Sequence, residues 1–501
     1  MSTEVPPNAE FPPNAEVPPA GDENPARGWA PSRAQAPTRR GRSRRRRGRA
    51  FAVGFATVVG VLAVVALGGA ALTSALGPRV TDVQVDAGAA ATASGSRIII
   101  TTTQSLTEVA AEQVTVTPAT DFSVDTSGRS IGVRFTLPLW DETEYTVRIE
   151  GVRGIGGGPD ATIEESFTTP ALEVFLLQRG DEGDTIFRTD LTGEAAVPVF
   201  THERIEDFRA TAGHLVVATV DDTERSQLIV TDLDGEGAQA LALPGEGSVT
   251  NLQSADRGNT IGFLFTDAGI SAEGGRESML YTASPAAPAA EPVAVERIGG
   301  ESRVEDWRFV PGTDGILMFT FDGALTLVAP GGEPVALGNA IAIHGVARGN
   351  AVAVIERAEG PVAIDLATAE EVALPATDPA LGQAWDVTPL PGAGGASLRA
   401  VTEFDGFDVV ATSVLLVDGS GGARAVFAVG AGDALLQTCV SPSGRYAAFL
   451  VAPSIVENPY DGYQLPLPQR VETHLVALED GAELVALSGF DISWCQHGPR
   501  P

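Results

Sequence analysis

From residue 173 to the C-terminus, apolar and polar positions alternate in short runs, and almost no helical period interrupts them. Such runs, rich in Val, Ile, Leu and Phe and bounded by Gly and Asp, predict strands joined by tight turns. One run repeats. Arg204-Ile205-Glu206-Asp207-Phe208-Arg209 recurs 99 residues later as Arg303-Val304-Glu305-Asp306-Trp307-Arg308, each copy followed by a turn and an apolar strand. Two units in that distance give a period of about 50, the size of a propeller blade. Further inner strands are predicted near Ser248, Ile341, Trp385 and Leu435. The C-terminal run Phe490-Asp491-Ile492-Ser493-Trp494 supplies one strand more, and the runs 174–178, 186–190 and 197–201 supply three. Together they complete a seventh blade closed by both ends of the segment, which removes the open sheet edge. The pattern therefore predicts a seven-bladed β-propeller over 171–501.

Residues 79–170 alternate in the same way at 97–101, 113–117, 130–137 and 144–150, with turn residues such as Asp125-Thr126-Ser127-Gly128 between them. Short strands at this spacing predict an immunoglobulin-like β-sandwich. Upstream the pattern changes. Residues 50–78 carry no charge, and 51–76 read as one apolar run, long enough as a helix to cross a hydrocarbon core of about 30 Å. The expected order is thus a disordered tail (1–49), a transmembrane signal-anchor α-helix (50–78), the sandwich and the propeller, an all-β ectodomain behind a single-pass anchor.

Charge gives that reading a direction. Residues 1–49 hold ten Arg against five acidic residues, whereas from 79 onward 23 Arg face 60 acidic residues, within a whole-chain formal charge of −32. Eight of the ten Arg, from Arg39 to Arg49, flank the apolar run on its N-terminal side. The positive-inside rule then predicts a plasma-membrane protein with a cytoplasmic N-terminus and an extracytoplasmic bulk, held in the lipid bilayer by 51–76. A cleaved signal peptide ending near Thr73-Ser74-Ala75 is the competing reading. Paired prolines repeat every six residues in the first twenty (Glu4-Val5-Pro6-Pro7, Glu10-Phe11-Pro12-Pro13, Glu16-Val17-Pro18-Pro19), predicting polyproline II or disorder and offering a motif to a cytoplasmic partner. The acidic bulk repels nucleic acid, and the Arg cluster lacks aromatic interleaving, so no nucleic acid is expected as a partner.

The run 114–119 (VTVTPA), the segment 137–157 (LPLWDETEYTVRIEGVRGIGG) and Phe167-Thr168-Thr169 resemble the bacterial Ig-like domain of the SbsA type, which implies a spacer or adhesive module without catalytic residues. Ser441-Pro442-Ser443-Gly444-Arg445 and the Asp-Leu hairpins resemble those of TolB-like and WD-repeat propellers.

Chemistry is sparse. The chain contains no Lys, which excludes Schiff-base catalysis and a Walker-type phosphate loop. There is no G-x-S-x-G elbow, the five His are scattered without metal spacing, and neither a metal nor a cofactor is implied. Three features stand out. Acids on the inner strands (Glu206, Asp207, Glu305, Asp306, with Asp386 and Asp491) would line the channel and bind a cation or cationic ligand, or else form Arg–acid networks with Arg209 and Arg308. The insertion 453–469 presents Tyr460, Asp461 and Tyr463 as a contact surface, or else packs over its own blade. Cys439 and Cys495 occupy equivalent inner-strand places and are expected to form a disulfide, with two buried thiols as the alternative. The expected function is a membrane-anchored scaffold that binds an extracytoplasmic protein or glycan. The alternatives are a cell-envelope glycan hydrolase or lyase using the channel carboxylates, and a signalling sensor with a docking tail.

Overall fold

The structure, a computed structural model, describes residues 53–65, 77–256, 260–271, 274–392 and 394–499. The tail 1–49, with its proline repeat and Arg cluster, lies outside the described residues. The chain divides into two compact units, Met1–Ala70 and Ala71–Pro501. In the first, residues 53–65 are helical. The thirteen described helical residues span about 20 Å, against a hydrocarbon core of about 30 Å. Among the described residues no helix is long and apolar enough to cross a membrane. This corrects the expected transmembrane helix, and with it the signal-anchor, the single-pass plasma-membrane placement and the two-sided topology. Hydropathy registers apolar composition and takes helix length for granted. Gly54 and Gly60 weaken that assumption, each about 1 kcal/mol poorer than Ala in a helix interior.

The second unit is built of strands. Its N-terminal part pairs two antiparallel sheets. One runs Val80–Val85, Arg97–Thr102, Ser130–Phe135, Phe122–Ser127; the other runs Val114–Thr117, Glu144–Val152, Ala161–Thr168. Alternation decides what is buried. Ile98 and Ile100, Ile131 and Val133, and Val147 and Ile149 turn inward to one core that also holds Phe135 and Tyr145. The Ala/Gly stretch after the first strand forms a short helix, Ala87–Thr92, capped by the Asp86 carboxylate on the Ala89 N–H at 2.9 Å. This sandwich is fastened to the rest of the unit at Asp141, a buried carboxylate that accepts from Arg445 at 2.9 Å and from the Tyr446 hydroxyl at 3.1 Å. Burial and the Asp141 charge push the Tyr446 phenol up to about 12.

Beyond the sandwich stand six four-stranded antiparallel sheets, each with its strands in chain order, and one three-stranded sheet. Blades 1 to 6 begin with the inner strands Ile205–Ala210, Gly247–Ser254, Val304–Phe309, Ala342–Val346, Gln383–Pro389 and Ala434–Val440. Blade 7 consists of Glu173–Gln178, Asp184–Asp190 and Val197–His202, completed by C-terminal residues. Leu177 and Phe490 exchange two backbone hydrogen bonds of 2.9 Å, and the Ser493 N–H donates to the Phe175 carbonyl at 3.0 Å. The N- and C-terminal ends of the propeller segment thus close one blade, and the propeller is a ring.

Apolar faces hold neighbouring blades together. Phe263 and Phe265 of blade 2 pack with Val216 and Leu228 of blade 1, and Trp307 of blade 3 packs with Leu264 of blade 2. Further mixed clusters join blades 3 and 4, 5 and 6, 6 and 7, and 7 and 1. The seam between blades 4 and 5 is different: among the described residues its only separate cluster, Val401, Leu415 and Val417, lies within blade 5.

Candidate functional site

Each inner strand of blades 1 to 6 carries a β-bulge against its neighbour, for example between Ile205 and Asp207 and between Val304 and Asp306. A bulge inserts one residue and breaks the alternation of sides. It therefore decides where the predicted acids point.

Asp207 and Asp491 are buried on either side of Arg209, at 2.9 and 2.5 Å from its Nη1. Burial and the neighbouring Asp491 push the Asp207 carboxyl well above its ordinary range, while Arg209 pulls it back. Burial opposes the Arg209 charge, but the two carboxylates hold that guanidinium protonated. Asp306 pairs with Arg308 at 2.6 Å and accepts from the Asn251 amide at 3.0 Å. Glu305, on its bulge, faces solvent. Asp207, Asp491 and Asp306 belong to a belt of contacts between blades. The same place on successive inner strands reaches the backbone of the next blade: Arg209 to the Leu252 carbonyl (2.8 Å) and Gln253 to the Trp307 carbonyl (2.6 Å). Arg308 reaches the Ile343 carbonyl at 3.4 Å and Thr388 the Thr438 carbonyl at 3.5 Å. At the seam of blades 6 and 7 that place is held by the disulfide Cys439–Cys495, whose Cα atoms are 5.4 Å apart.

The insertion 453–469 starts against its own blade, where the Ser454 N–H donates to Asp433, and extends over blades 7 and 1. The Tyr463 hydroxyl donates to Asp184 at 2.8 Å, and its ring lies under the Arg179 guanidinium, 3.7 Å from the centroid. Asp461 pairs with Arg179 at 2.7 Å, and the Gln464 N–H donates to Glu206 at 3.0 Å. Glu206, also paired with Arg204 at 3.0 Å, is raised by burial against the pull of Arg179 and Arg204. Tyr460 alone of the predicted triplet is exposed, at 53%. Tyr463→Phe should therefore leave the buried Asp184 without its hydroxyl donor and cost about 1–3 kcal/mol in urea unfolding.

One opening lies among the inner strands of blades 3 to 7, and a second lies at the seam of blades 4 and 5. A cavity of about 490 Å³ is lined by Arg308, His344, Arg348, Trp385, Asp386, Gln437, Thr438, both cysteines, Trp494 and Gln496, among others. His344 and Trp385 also line a groove of about 1120 Å³ that continues outward between the two blades past Phe404. Of the nine predicted binding residues only Asp386 lies on either surface. His344, on the blade 4 bulge, stands 3.0 Å from Glu356 and 3.6 Å from Asp386 of blade 5. Burial works against its charge, but the two carboxylates outweigh it and raise its pKa. The stability this cation adds is complete below the ordinary histidine value of about 6.5 and is lost as pH rises through the raised folded value. His344→Gln should therefore weaken the protein at pH 5 and leave it nearly unchanged at pH 9, read from urea midpoints. The composition of the histidines concealed this residue, but its place on an inner strand was a signal. Trp385 is 50% exposed with its Nε1 fixed to the Thr402 hydroxyl at 3.1 Å, so its position at the opening is defined.

No known protein family matches the sequence, and no curated protein does. The resemblance of residues 79–170 to SbsA-type domains is thus not shown. Solved structures similar to this chain include a prolyl endopeptidase, at 9% identity and a TM-score of 0.44, over 74% of this chain and 50% of that one. A protein described as TolB from Agrobacterium tumefaciens is similar at 10% identity and a TM-score of 0.33, over 66% of this chain and 99% of that one. The WD40 domain of SCAP from fission yeast is similar at 11% identity and a TM-score of 0.35, over 63% of this chain and 87% of that one. The chain spans half the length of the prolyl endopeptidase. The fold is a β-propeller, and its evidence is the ring of sheets described above.

Proposed function

We propose that this protein is a binding module whose propeller takes a small ligand in the cavity among the inner strands of blades 3 to 7, with the sandwich as a fixed neighbour of the ring. The observation that carries this reading is the cavity among the inner strands of blades 3 to 7. It is edged by the exposed indole of Trp385 at the seam of blades 4 and 5, the one seam among the described residues without a shared apolar cluster. A cavity of about 490 Å³ falls in the range of roughly 300–1,000 Å³ typical of small-molecule sites. The hydrolase or lyase reading is not favoured, because Asp207 and Asp306 are each held by an arginine and Glu206 lies under the insertion. The ligand should quench or shift tryptophan fluorescence, and Trp385→Ala should abolish that response without lowering the urea midpoint. Titration with sugars, amino acids, nucleosides and organic acids tests this. If no class perturbs the fluorescence or the melting temperature, the reading fails.

A further inference from the structure

We infer that the ligand of the inner-strand cavity is an uncharged saccharide unit, an inference that rests on the proposed binding role of that cavity. The first argument is charge. Three cationic side chains of the lining are engaged by carboxylates: Arg308 by Asp306 at 2.6 Å, Arg348 by Asp256, and His344 by Glu356 and Asp386 at 3.0 and 3.6 Å. The carboxylate of Asp386 is in turn engaged by His344. A charged ligand that took a partner from the buried Arg308–Asp306 pair would leave a buried charge without its counter-charge. Charge thus selects for a neutral ligand.

The second argument comes from the polar atoms still open. The Trp494 indole N–H is buried, the residue being 5% exposed, and it has no hydrogen-bond partner among the described residues. The Thr438 hydroxyl, on the inner strand of blade 6, is likewise without one. Both residues line the cavity. An unmet buried donor is costly, so a ligand that accepts from it gains more than a surface hydrogen bond would. The two groups stand on different strands, one a donor and the other able to donate or accept. Hydroxyls, which do both, match such separated groups. A nucleobase edge would require a donor and an acceptor side by side.

The third argument is the exposed indole of Trp385 at the opening, fixed through its N–H to Thr402. A fixed aromatic ring offers apolar area with little loss of side-chain freedom. The C–H face of a pyranose ring can cover it while the hydroxyl rim turns to Trp494 and Thr438.

The test is a titration of the full chain, followed by tryptophan fluorescence and calorimetry, with glucose, N-acetylglucosamine and maltose. Glucuronate, glucosamine and adenosine are the comparison probes. At least one neutral sugar should bind, and its charged analogue should bind about tenfold more weakly or not at all. Trp494→Phe and Thr438→Val should each weaken the sugar by about three- to tenfold. Trp385→Ala should weaken it further. Thr438→Val keeps the test decisive if Trp494→Phe fails to fold. Binding of glucuronate, glucosamine or adenosine in preference to every neutral sugar would overturn the saccharide assignment while leaving the binding role intact. Silence from all six probes would overturn the assignment. If further amino acids, nucleosides and organic acids are also silent, the binding role itself falls.

Discussion

Replacing Arg209 with methionine is expected to lower unfolding free energy by about 3–5 kcal/mol at neutral pH, the cost of removing one member of a buried charge network. The guanidinium stands between Asp207 and Asp491, all three buried, so its loss leaves two carboxylates facing each other without a cation. Asp491 belongs to the strand that closes blade 7 and Arg209 to blade 1, so the damage falls on the seam that completes the ring. The pH dependence follows from the Asp207 carboxyl, whose folded pKa lies well above the ordinary value of about 3.9. A raised folded value in an acid means that its favourable contribution is complete below the unfolded pKa and is lost as pH rises through the folded one. Without Arg209 that loss should steepen. Urea unfolding at pH 5 and pH 8 should therefore show a larger deficit for Arg209→Met at pH 8. Adding Asp491→Asn to the variant should recover part of the deficit by removing one of the opposed charges. A variant within 1 kcal/mol of wild type at both pH values would contradict the assignment.

The double variant Cys439→Ala/Cys495→Ala should lower stability by up to about 4 kcal/mol, the chain-entropy value for a loop of this length, 56 residues of sequence separation. Intact mass before and after reduction and alkylation should show no free thiol in the native protein. The bridge occupies the register place that elsewhere holds Arg209, Gln253, Arg308 and Thr388, each reaching across to the next blade. Its removal should consequently loosen the seam of blades 6 and 7 first. Amide exchange read by peptide should show faster opening at residues 434–440 and 490–496 than at the seam of blades 1 and 2. Uniform exchange across all seams would contradict that local role.

The propeller was legible because its signal is a repeat. Arg204 to Arg209 and Arg303 to Arg308 mark equivalent strands whatever their side chains do, and strand alternation within the sandwich picks out the same inward residues that the core contains. The direction of the acids was not legible. A bulge at Glu206 and at Glu305 breaks the alternation on which an inward-facing pair depends, so one member lies under the insertion and the other faces solvent. Nor could hydropathy between 51 and 76 report the length of a helix, because it registers composition alone. The candidate site was hidden for a different reason. It is lined by inner strands of five blades, from Arg308 to Trp494, which lie far apart in the sequence. Only His344 and Asp386, on successive inner strands, carried a trace of it.

The central proposal is that Asp207, Asp306 and Asp491 hold neighbouring blades together while the inner-strand cavity beside Trp385 binds. One comparison tests it most directly: sugar titration and urea unfolding of Trp385→Ala beside Arg209→Met. The account predicts that Trp385→Ala loses binding at unchanged stability, and that Arg209→Met loses stability while its folded fraction binds with unchanged affinity. Lost affinity in Arg209→Met with intact binding in Trp385→Ala would contradict it.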